Sequence, residues 1–522
     1  MPEVSPATFV SGPFGLEPAP SWFRKGFAVF CTVSVLAVLL HMALGVWARN
    51  EIAPQESIVA LHATMLANDG TLYYNNDAYP YTITPYMPIF YTASAVLIKI
   101  GIPGLLAGRL ISFAAMIGVF IFSWKFVLLY TRSRWYGWLT VALCASCTVI
   151  PGWGVMGRVD MLAIFFGVAA FHQYARYAVA GHRSLHWVGV LLIAAMLTKQ
   201  TMVAGPIAIF ALLWMEEGFK RALRFGAATL AGGLLVFALL YGMFGSRFLF
   251  NTIFANVNPF AFSKLSQHFD FYLISLGQLV LVAVLGGWRA IRSSARAPFV
   301  YLIVATLVLA ATAGKIGSDT NYHLESAVLL AICVSVSLHS LDFFTSMFLS
   351  RKTWVTLLQV PLLIHTVNNV RIMIPFFQSR FVQEYEMEAL SRNLGKHLQD
   401  KQPILAMDFN SLLRTRGRLD IEPVIYNILV QAGRIDPEPL RRDIEAERLP
   451  VIMLHQDIDK PDITDPEFPT LPSSQLAEIR KHYRFVEHVD GPYMGGVFVY
   501  KPLRLTSAVT RVPPSNTLQP GR

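Results

Sequence analysis

Charge is what this chain has least of. Asp, Glu, Lys and Arg make up 15% of its 522 residues, against roughly 25% in ordinary soluble domains. That scarcity excludes a disordered chain, which stays unfolded through low hydrophobicity and high charge. Collagen and coiled-coil compositions are excluded as well. Cysteine is scarce too. Cys31, Cys144, Cys147 and Cys333 all lie in apolar runs, without disulfide or metal spacing, and read as small core hydrophobes. The first span is expected to be retained and not cleaved as a secretory signal, because the segment before Phe27 is long and Pro-rich and no Ala-x-Ala site follows. Internal repeats of the transporter kind are missing as well.

Apolar residues take the place of charge. They form 54% of the chain, aromatics 12%, and the mean hydropathy is +0.47. Runs of spanning length recur from residue 27 to about residue 370, so a purely soluble enzyme is excluded and a polytopic α-helical membrane protein is expected. The net charge of +10 does not point to nucleic acid. The positives gather in short loops between apolar runs: Arg132 and Arg134; Arg176 and Arg183; Lys220, Arg221 and Arg224; Arg289, Arg292 and Arg296; Arg351 and Lys352. Such loops stay cytoplasmic, so the pattern orients the protein in a bilayer.

On this rule residues 1–26 form a cytoplasmic segment and residues 27–370 a membrane domain. Spans are expected near 27–47, 105–130, 134–151, 160–178, 186–200, 202–216, 221–243, 270–287, 298–313, 322–343 and 353–370. That is about eleven crossings, with the N-terminus inside and the C-terminus outside. An outer loop covers 48–83. Residues 84–103 are apolar but carry Pro85, Pro88, Lys99 and Pro103; counting them as a crossing would put every later basic loop outside, so they are expected as a re-entrant or juxtamembrane helix. From 371 to 505 short apolar runs at 403–409, 423–429, 450–455, 483–489 and 495–500 alternate with charged helical stretches at 437–448 and 473–482. This predicts an extracytoplasmic α/β domain, followed by a disordered tail over 506–522.

Ionisable groups at the ends of spans are costly and therefore informative. Five polar clusters fall on the outer side: Glu56 and His62 in the outer loop, Arg158 with Asp160, Lys199 in Thr-Lys-Gln-Thr, the run from Lys315 to Glu325, and Arg109. Each has an ordinary reading as a solvated loop residue, a satisfied charge pair, a snorkelling lysine, an exposed hairpin or an interfacial anchor. Together they supply an acid and several cations at one lipid–water boundary, as transfer of a group off a lipid phosphate requires.

Their order carries a resemblance: a first span, an outer loop with an acid and Leu-Ala-x-x-Gly-x-Leu-Tyr, a Pro-Tyr-x-Pro-Ile-Phe-Tyr helix, Gly-Arg-Leu-Ile-Ser, Arg-x-Asp at a span start, Thr-Lys-Gln-Thr, and Asn-Tyr-x-x-Glu. Over about residues 27–345 the chain resembles the GT-C glycosyltransferases that use polyprenyl-phosphate sugars. Nearest are the bacterial relatives of protein O-mannosyltransferases and of the aminoarabinose transferase acting on lipid A. The resemblance implies inverting transfer of a sugar from a polyprenyl-phosphate donor to a lipid, glycan or protein acceptor. The protein would sit in a bacterial inner membrane, with the C-terminal domain periplasmic or extracellular. Glu56 would be the base, with Asp160 the second acid or the base in its place. The family often shows Asp-Glu where this chain has Gln55-Glu56. Lys199, Arg158 and Arg109 would hold the donor phosphate, and Asn321, Tyr322, His323, Glu325 and His62 would touch sugar or acceptor. With no dense carboxylate cluster, no obligatory metal or other cofactor is expected. The rival readings are a catalytically inactive scaffold of the same fold and a lipid or solute transporter.

Overall fold

The computed structural model describes residues 21–75, 78–181, 184–256, 258–291, 295–340, 351–460, 471–493 and 495–504. The first twenty residues, Arg183, Arg292 and the expected tail over 506–522 lie outside them.

Helix α1 (Ser21–Val46) leads into the first loop, which contains α2 (Pro54–Asp69) and α3 (Pro88–Lys99). Helix α2 opens on Pro54, whose missing N–H is one that a first turn leaves unpaired anyway. It closes at Gly70, whose φ of 71° lets its N–H return to Leu66 O. Helix α3 has 12 residues, about 18 Å of rise, short of the roughly 30 Å hydrocarbon core.

A bundle follows: α4 (Gly104–Thr131), α5 (Arg134–Ser146), α6 (Val149–Gly154), α7 (Val159–Ala180), α8 (His186–Met196), α9 (Ala204–Glu217), α10 (Phe219–Phe244), α11 (Ser246–Thr252), α12 (Phe262–Ala290), α13 (Ala297–Thr312) and α14 (Leu324–His339). Among the described residues four stretches, Gly104–Thr131, Phe219–Phe244, Phe262–Gly287 and Thr320–His339, are long and apolar enough to cross a bilayer. The chain is therefore a helical membrane protein, but the eleven expected crossings are not eleven such helices. The runs at 186–200 and 202–216 become α8 and α9, of 11 and 14 residues, because the polar turn around Lys199 breaks them apart. The run at 134–151 is divided between α5 and α6.

Burial separates the core helix from the lipid-facing one. In α14 every residue except Glu325 and His339 is buried, the signature of a helix surrounded on all sides. In α10 only Ala222 is buried, while Leu230, Leu234 and Leu239 are exposed, which leaves a face for lipid. The two ends of α7 differ in chemistry. At its C-terminal end Tyr174 donates to Glu216 and Tyr177 to Glu217, and these carboxylates pair with Arg296 and Arg221. Asp160 lies at the opposite end.

Helix α15 (Arg351–Gly395) contains the run at 353–370 and continues through the expected domain boundary at 370/371. The C-terminal part then builds a four-stranded sheet in the order β1-β2-β4-β3. Strand β1 (Leu405–Ala406) runs parallel to β2 (Ile452–Leu454), and β4 (Val497–Pro502) runs antiparallel to both β2 and β3 (Tyr483–Val489). Helices α16 (Phe409–Thr415), α17 (Pro423–Gln431), α18 (Glu438–Glu445) and α19 (Ser473–His482) flank it. The run at 423–429, expected as a strand, is helix α17. The Glu422 carboxylate caps Ile425 N–H at 2.8 Å, Pro423 opens the first turn, and Pro423, Tyr426 and Leu429 are buried on one helical face.

The first loop is tied to this C-terminal part by main-chain and side-chain bonds. Tyr81 N–H donates to Asp420 O at 2.8 Å, and Glu422 N–H returns to Tyr81 O at 3.0 Å. The Glu384 carboxylate accepts from the N–H groups of Arg49 and Asn50 at 2.8 and 3.2 Å. Asn410 donates to Asn50 Oδ1 and accepts from Glu51 N–H, at 2.9 and 3.2 Å. Glu51 is buried in this junction. Burial, aided by the neighbouring Asp408 carboxyl, pushes its carboxyl up to about 8. An unfolded glutamate near 4.5 binds fewer protons in between, so this contribution to stability is complete below about pH 4.5 and is lost as pH rises through about 8. Thermal unfolding across that range should show a falling Tm for the wild type and a flatter profile for Glu51→Gln; parallel profiles would refute the buried proton.

Candidate active site

The site is built around the start of α7. Arg158, extended at φ −130° and ψ 158°, forms its N-cap, and Asp160 occupies the first turn, where the helix dipole favours a negative charge. Asp160 Oδ1 accepts from Lys199 Nζ at 2.6 Å and from Asn321 Nδ2 at 2.8 Å, while Oδ2 accepts from Arg158 Nε at 3.2 Å. The break between α8 and α9 delivers Lys199 to this point, with the ammonium 5.0 Å from the Tyr322 ring centroid. The Arg158 guanidinium lies 5.1 Å from the Trp153 ring and donates to Tyr86 OH at 3.3 Å. Trp153 Nε1 in turn donates to Thr320 Oγ1 at 2.8 Å.

Asp160, Lys199, Asn321, Tyr322 and Glu325 open onto one small cleft of about 40 Å³, whose other wall is Ile164, Met202, Ala305, Val308 and Leu309. One side is charged and the other aliphatic. Glu325 Oε1 accepts from Tyr301 OH at 2.6 Å. Asn321 Oδ1 is buried without a partner among the described residues, so the cleft holds an acceptor that remains unmet.

Glu56 stands behind this cleft. Its side chain and that of Arg109 are wholly buried and joined two-fold, Nη2 to Oε2 at 2.7 Å and Nε to Oε1 at 2.8 Å. The carboxylate also accepts from Gly157 N–H at 2.7 Å and Ile52 N–H at 2.9 Å. Arg109 also donates Nη1 to Ala48 O at 2.5 Å and Nη2 to Asn50 O at 2.6 Å. Burial pushes the Glu56 carboxyl up, but Arg109 and the two amides outweigh it and hold the group below the usual carboxylate range. Gly108 and Gly157 let α4 approach this turn: a Cβ on Gly108 would stand 3.0 Å from Gly157 Cα, and one on Gly157 3.2 Å from Gly108.

Asp160, Arg158, Lys199, Asn321, Tyr322 and Glu325 therefore come together, and the buried Glu56–Arg109 pair holds the Gly157–Arg158 turn from behind. His62 and His323 stand elsewhere. His62 Nε2 meets Thr82 Oγ1 at 2.7 Å, and burial lowers its imidazole to about 3. His323 Nε2 meets His268 Nδ1 at 2.9 Å, and His268 Nε2 meets Ser318 Oγ at 2.8 Å. Sequence reasoning missed Tyr86, Trp153, Tyr301 and Gln200. Gln200 Nε2 bonds Pro85 O and Thr252 O at 2.7 and 3.1 Å, pinning the first loop to α11. Only its place beside Lys199 could have singled it out. Among the described residues no three His, Cys, Asp or Glu side chains stand together as a metal site.

No family model and no curated protein matches the chain. Solved structures do. ArnT from Cupriavidus metallidurans bound to undecaprenyl phosphate superimposes with a TM-score of 0.57 at 14% identity, over 91% of this chain and 98% of that one. Its apo state gives 0.58 at 13%, over 92% and 98%. The apo oligosaccharyltransferase of Archaeoglobus fulgidus gives 0.50 at 11%, over 95% and 82%. At such identities the likeness establishes the fold, and it is the GT-C fold to which the ordered motifs pointed.

Removing one member of a wholly buried ion pair strands the other, at a cost of roughly 3–5 kcal/mol. Glu56→Gln should lose that much stability in denaturant titration, and adding Arg109→Met should restore part of it. A Glu56→Gln protein of wild-type stability would show the pair to be dispensable.

Proposed function

We propose that the chain is an integral-membrane glycosyltransferase that moves a sugar from a polyprenyl-phosphate donor to a hydroxyl of a lipid, glycan or protein acceptor. One observation carries this reading: a carboxylate held by two cations, Lys199 and Arg158, opens onto a cleft with an aliphatic wall. The likeness to ArnT, whose structure holds undecaprenyl phosphate, supports the lipid carrier. The acceptor hydroxyl attacks the anomeric carbon as the bond from that carbon to the phosphate oxygen breaks. The polyprenyl phosphate leaves with the electron pair, and the acceptor proton passes to a carboxylate. A single displacement of this kind inverts the anomeric carbon.

Lys199 offers a compact point charge and Arg158 a planar fork, both suited to phosphate oxygens. Arriving phosphate competes with Asp160 for these donors and leaves Asp160 Oδ1 with the Asn321 amide alone, so that its carboxylate can take the proton. Glu56 has four hydrogen bonds across its two oxygens and no opening to the cleft. Asp160 is therefore the base on this reading, and Glu56 with Arg109 are positioning residues that set the Gly157–Arg158 turn. Glu325 and Asn321 are placed to meet sugar hydroxyls. The separation of the Asp160 end from the Arg221 and Arg296 end of the bundle supports an extracytoplasmic site in a bacterial inner membrane, with the N-terminus cytoplasmic.

The test is transfer of radiolabelled sugar from polyprenyl-phosphate donors in membranes. Asp160→Asn should lower kcat by at least about 100-fold, as loss of a general base does. Lys199→Met should lower it as well, by removing charge stabilisation of the leaving group. Glu56→Gln, assayed where it remains folded, should retain more activity than Asp160→Asn; the reverse order would return the base to Glu56. Absence of transfer from any donor in the wild type would favour a scaffold. No metal is assigned a role, so EDTA should leave the wild-type rate unchanged.

A further inference from the structure

Two buried histidines take no part in the proposed transfer, and neither lines the Asp160 cleft. His323, wholly buried, closes the short 3-10 turn Thr320–His323 ahead of α14. His268, also buried, stands in the second turn of α12. His268 Nδ1 meets His323 Nε2 at 2.9 Å, and His268 Nε2 meets Ser318 Oγ at 2.8 Å. One side chain of α12 therefore grips both ends of the segment 318–323.

The direction of each bond follows from counting protons. Ser318 has one hydroxyl proton, and it goes to Ala313 O at 2.5 Å. Its oxygen is left to accept, so His268 carries its proton on Nε2 and presents a bare Nδ1. His323 then donates Nε2–H to that lone pair, and its own Nδ1 is bare. That nitrogen is buried without a partner among the described residues, so the chain of donors starts at His323. It runs through His268 and Ser318 to the end of α13, and it joins α12, α13 and the turn. Replacing His268 by a group lacking either function strands a buried donor or acceptor.

The other residues of the same turn meet the candidate active site. Thr320 Oγ1 accepts from Trp153 Nε1 at 2.8 Å, and the Arg158 guanidinium lies against that ring. Asn321 Nδ2 donates to Asp160 Oδ1 at 2.8 Å, and the Tyr322 ring lies 5.0 Å from Lys199 Nζ. Upstream, main-chain bonds hold the loop: Ala261 N–H donates to Gly314 O at 2.7 Å and Ile316 N–H to Pro259 O at 2.9 Å. From Ser318 to His323 the support from α12 comes through the side chain of His268. We infer that His268 is a positioning residue, which acts through His323 and Ser318 to set Asn321 against Asp160. This rests on the transferase reading above, in which Asp160 Oδ1 keeps the Asn321 amide while the carboxylate takes the proton. Donor binding rests on Lys199 and Arg158, so a loosened turn slows transfer and spares donor affinity.

The experiment compares three substitutions in the purified full-length protein in nanodiscs. His268→Phe removes both bonds, His268→Asn keeps an acceptor near Nδ1 for His323, and His268→Gln keeps a donor near Nε2 for Ser318. Amide hydrogen exchange of the peptide over 313–325 should rise about fivefold in His268→Phe. Its kcat for sugar transfer should fall about tenfold, with the donor KM within about twofold of wild type. His268→Asn, which keeps the bond nearer Asn321, should recover more of the rate than His268→Gln. Added to Asn321→Ala, His268→Phe should cost little further rate, because the group it acts through is already gone; a general loss of stability would multiply the two effects. Unchanged exchange, a wild-type kcat in His268→Phe, or full multiplication with Asn321→Ala would overturn the inference. Should His268→Phe fail to fold, the order of Asn over Gln decides, and the reverse order or equality overturns it. The two readings fail separately. A wild type that transfers no sugar while His268→Phe loosens the 313–325 peptide sinks the transferase alone; transfer that proceeds at the wild-type rate in His268→Phe sinks the positioning role alone.

Discussion

The ion pair between Glu56 and Arg109 is the constraint on which the site's geometry depends. Neither side chain has water to fall back on, so each must find every partner within the protein. Arg109 reaches Ala48 O and Asn50 O at the end of the first helix, and Glu56 reaches Ile52 N–H and Gly157 N–H. One buried pair thereby fixes three segments: the exit of α1, the start of α2 and the turn that precedes α7. Asp160 follows that turn by three residues, so the position of its carboxylate is inherited from a pair it never touches. The C-terminal part holds the same strand from the other side. Glu384, Asn410 and Arg414 all bind Asn50 or its neighbours, and Tyr493 OH donates to Ile52 O at 3.1 Å.

This explains which features could be read from the sequence. Asp160, Lys199, Asn321 and Glu325 stood out because polar groups at the ends of apolar runs are expensive, and the structure does gather them on one cleft. The partner of Glu56 was not, because nothing local links it to an arginine on the far side of the first loop. An isolated acid in a loop reads equally well as a base or as a strut, and only the count of its donors separates the two. His62 and His323 drew attention for the same chemistry and proved to bond to Thr82 and to His268.

Secondary structure was misread where short runs are ambiguous. The apolar stretch at 423–429 fits a strand by composition, but Glu422 and Pro423 supply a cap and a first turn, and helix α17 wins. Expected spans come out as short helices where a polar turn interrupts an apolar run, as between α8 and α9. The interruption costs hydrophobic length, and it also places Lys199 inside the bundle, where a continuous helix would have carried it along a face. Irregular backbone at that depth is tolerable where it lines a cavity.

The same economy governs the cations. Two buried positive groups side by side would carry a large desolvation cost. Asp160 offsets it by accepting from both, which holds the Lys199 and Arg158 side chains in place. A carboxylate and a phosphate monoanion or diester are chemically alike to such donors, so exchanging one for the other leaves the cations satisfied and releases a carboxylate at the point where an acceptor proton must go. On the proposed reading, the carboxylate that partners the two cations is the group that the arriving donor frees for chemistry, and no buried charge is left alone.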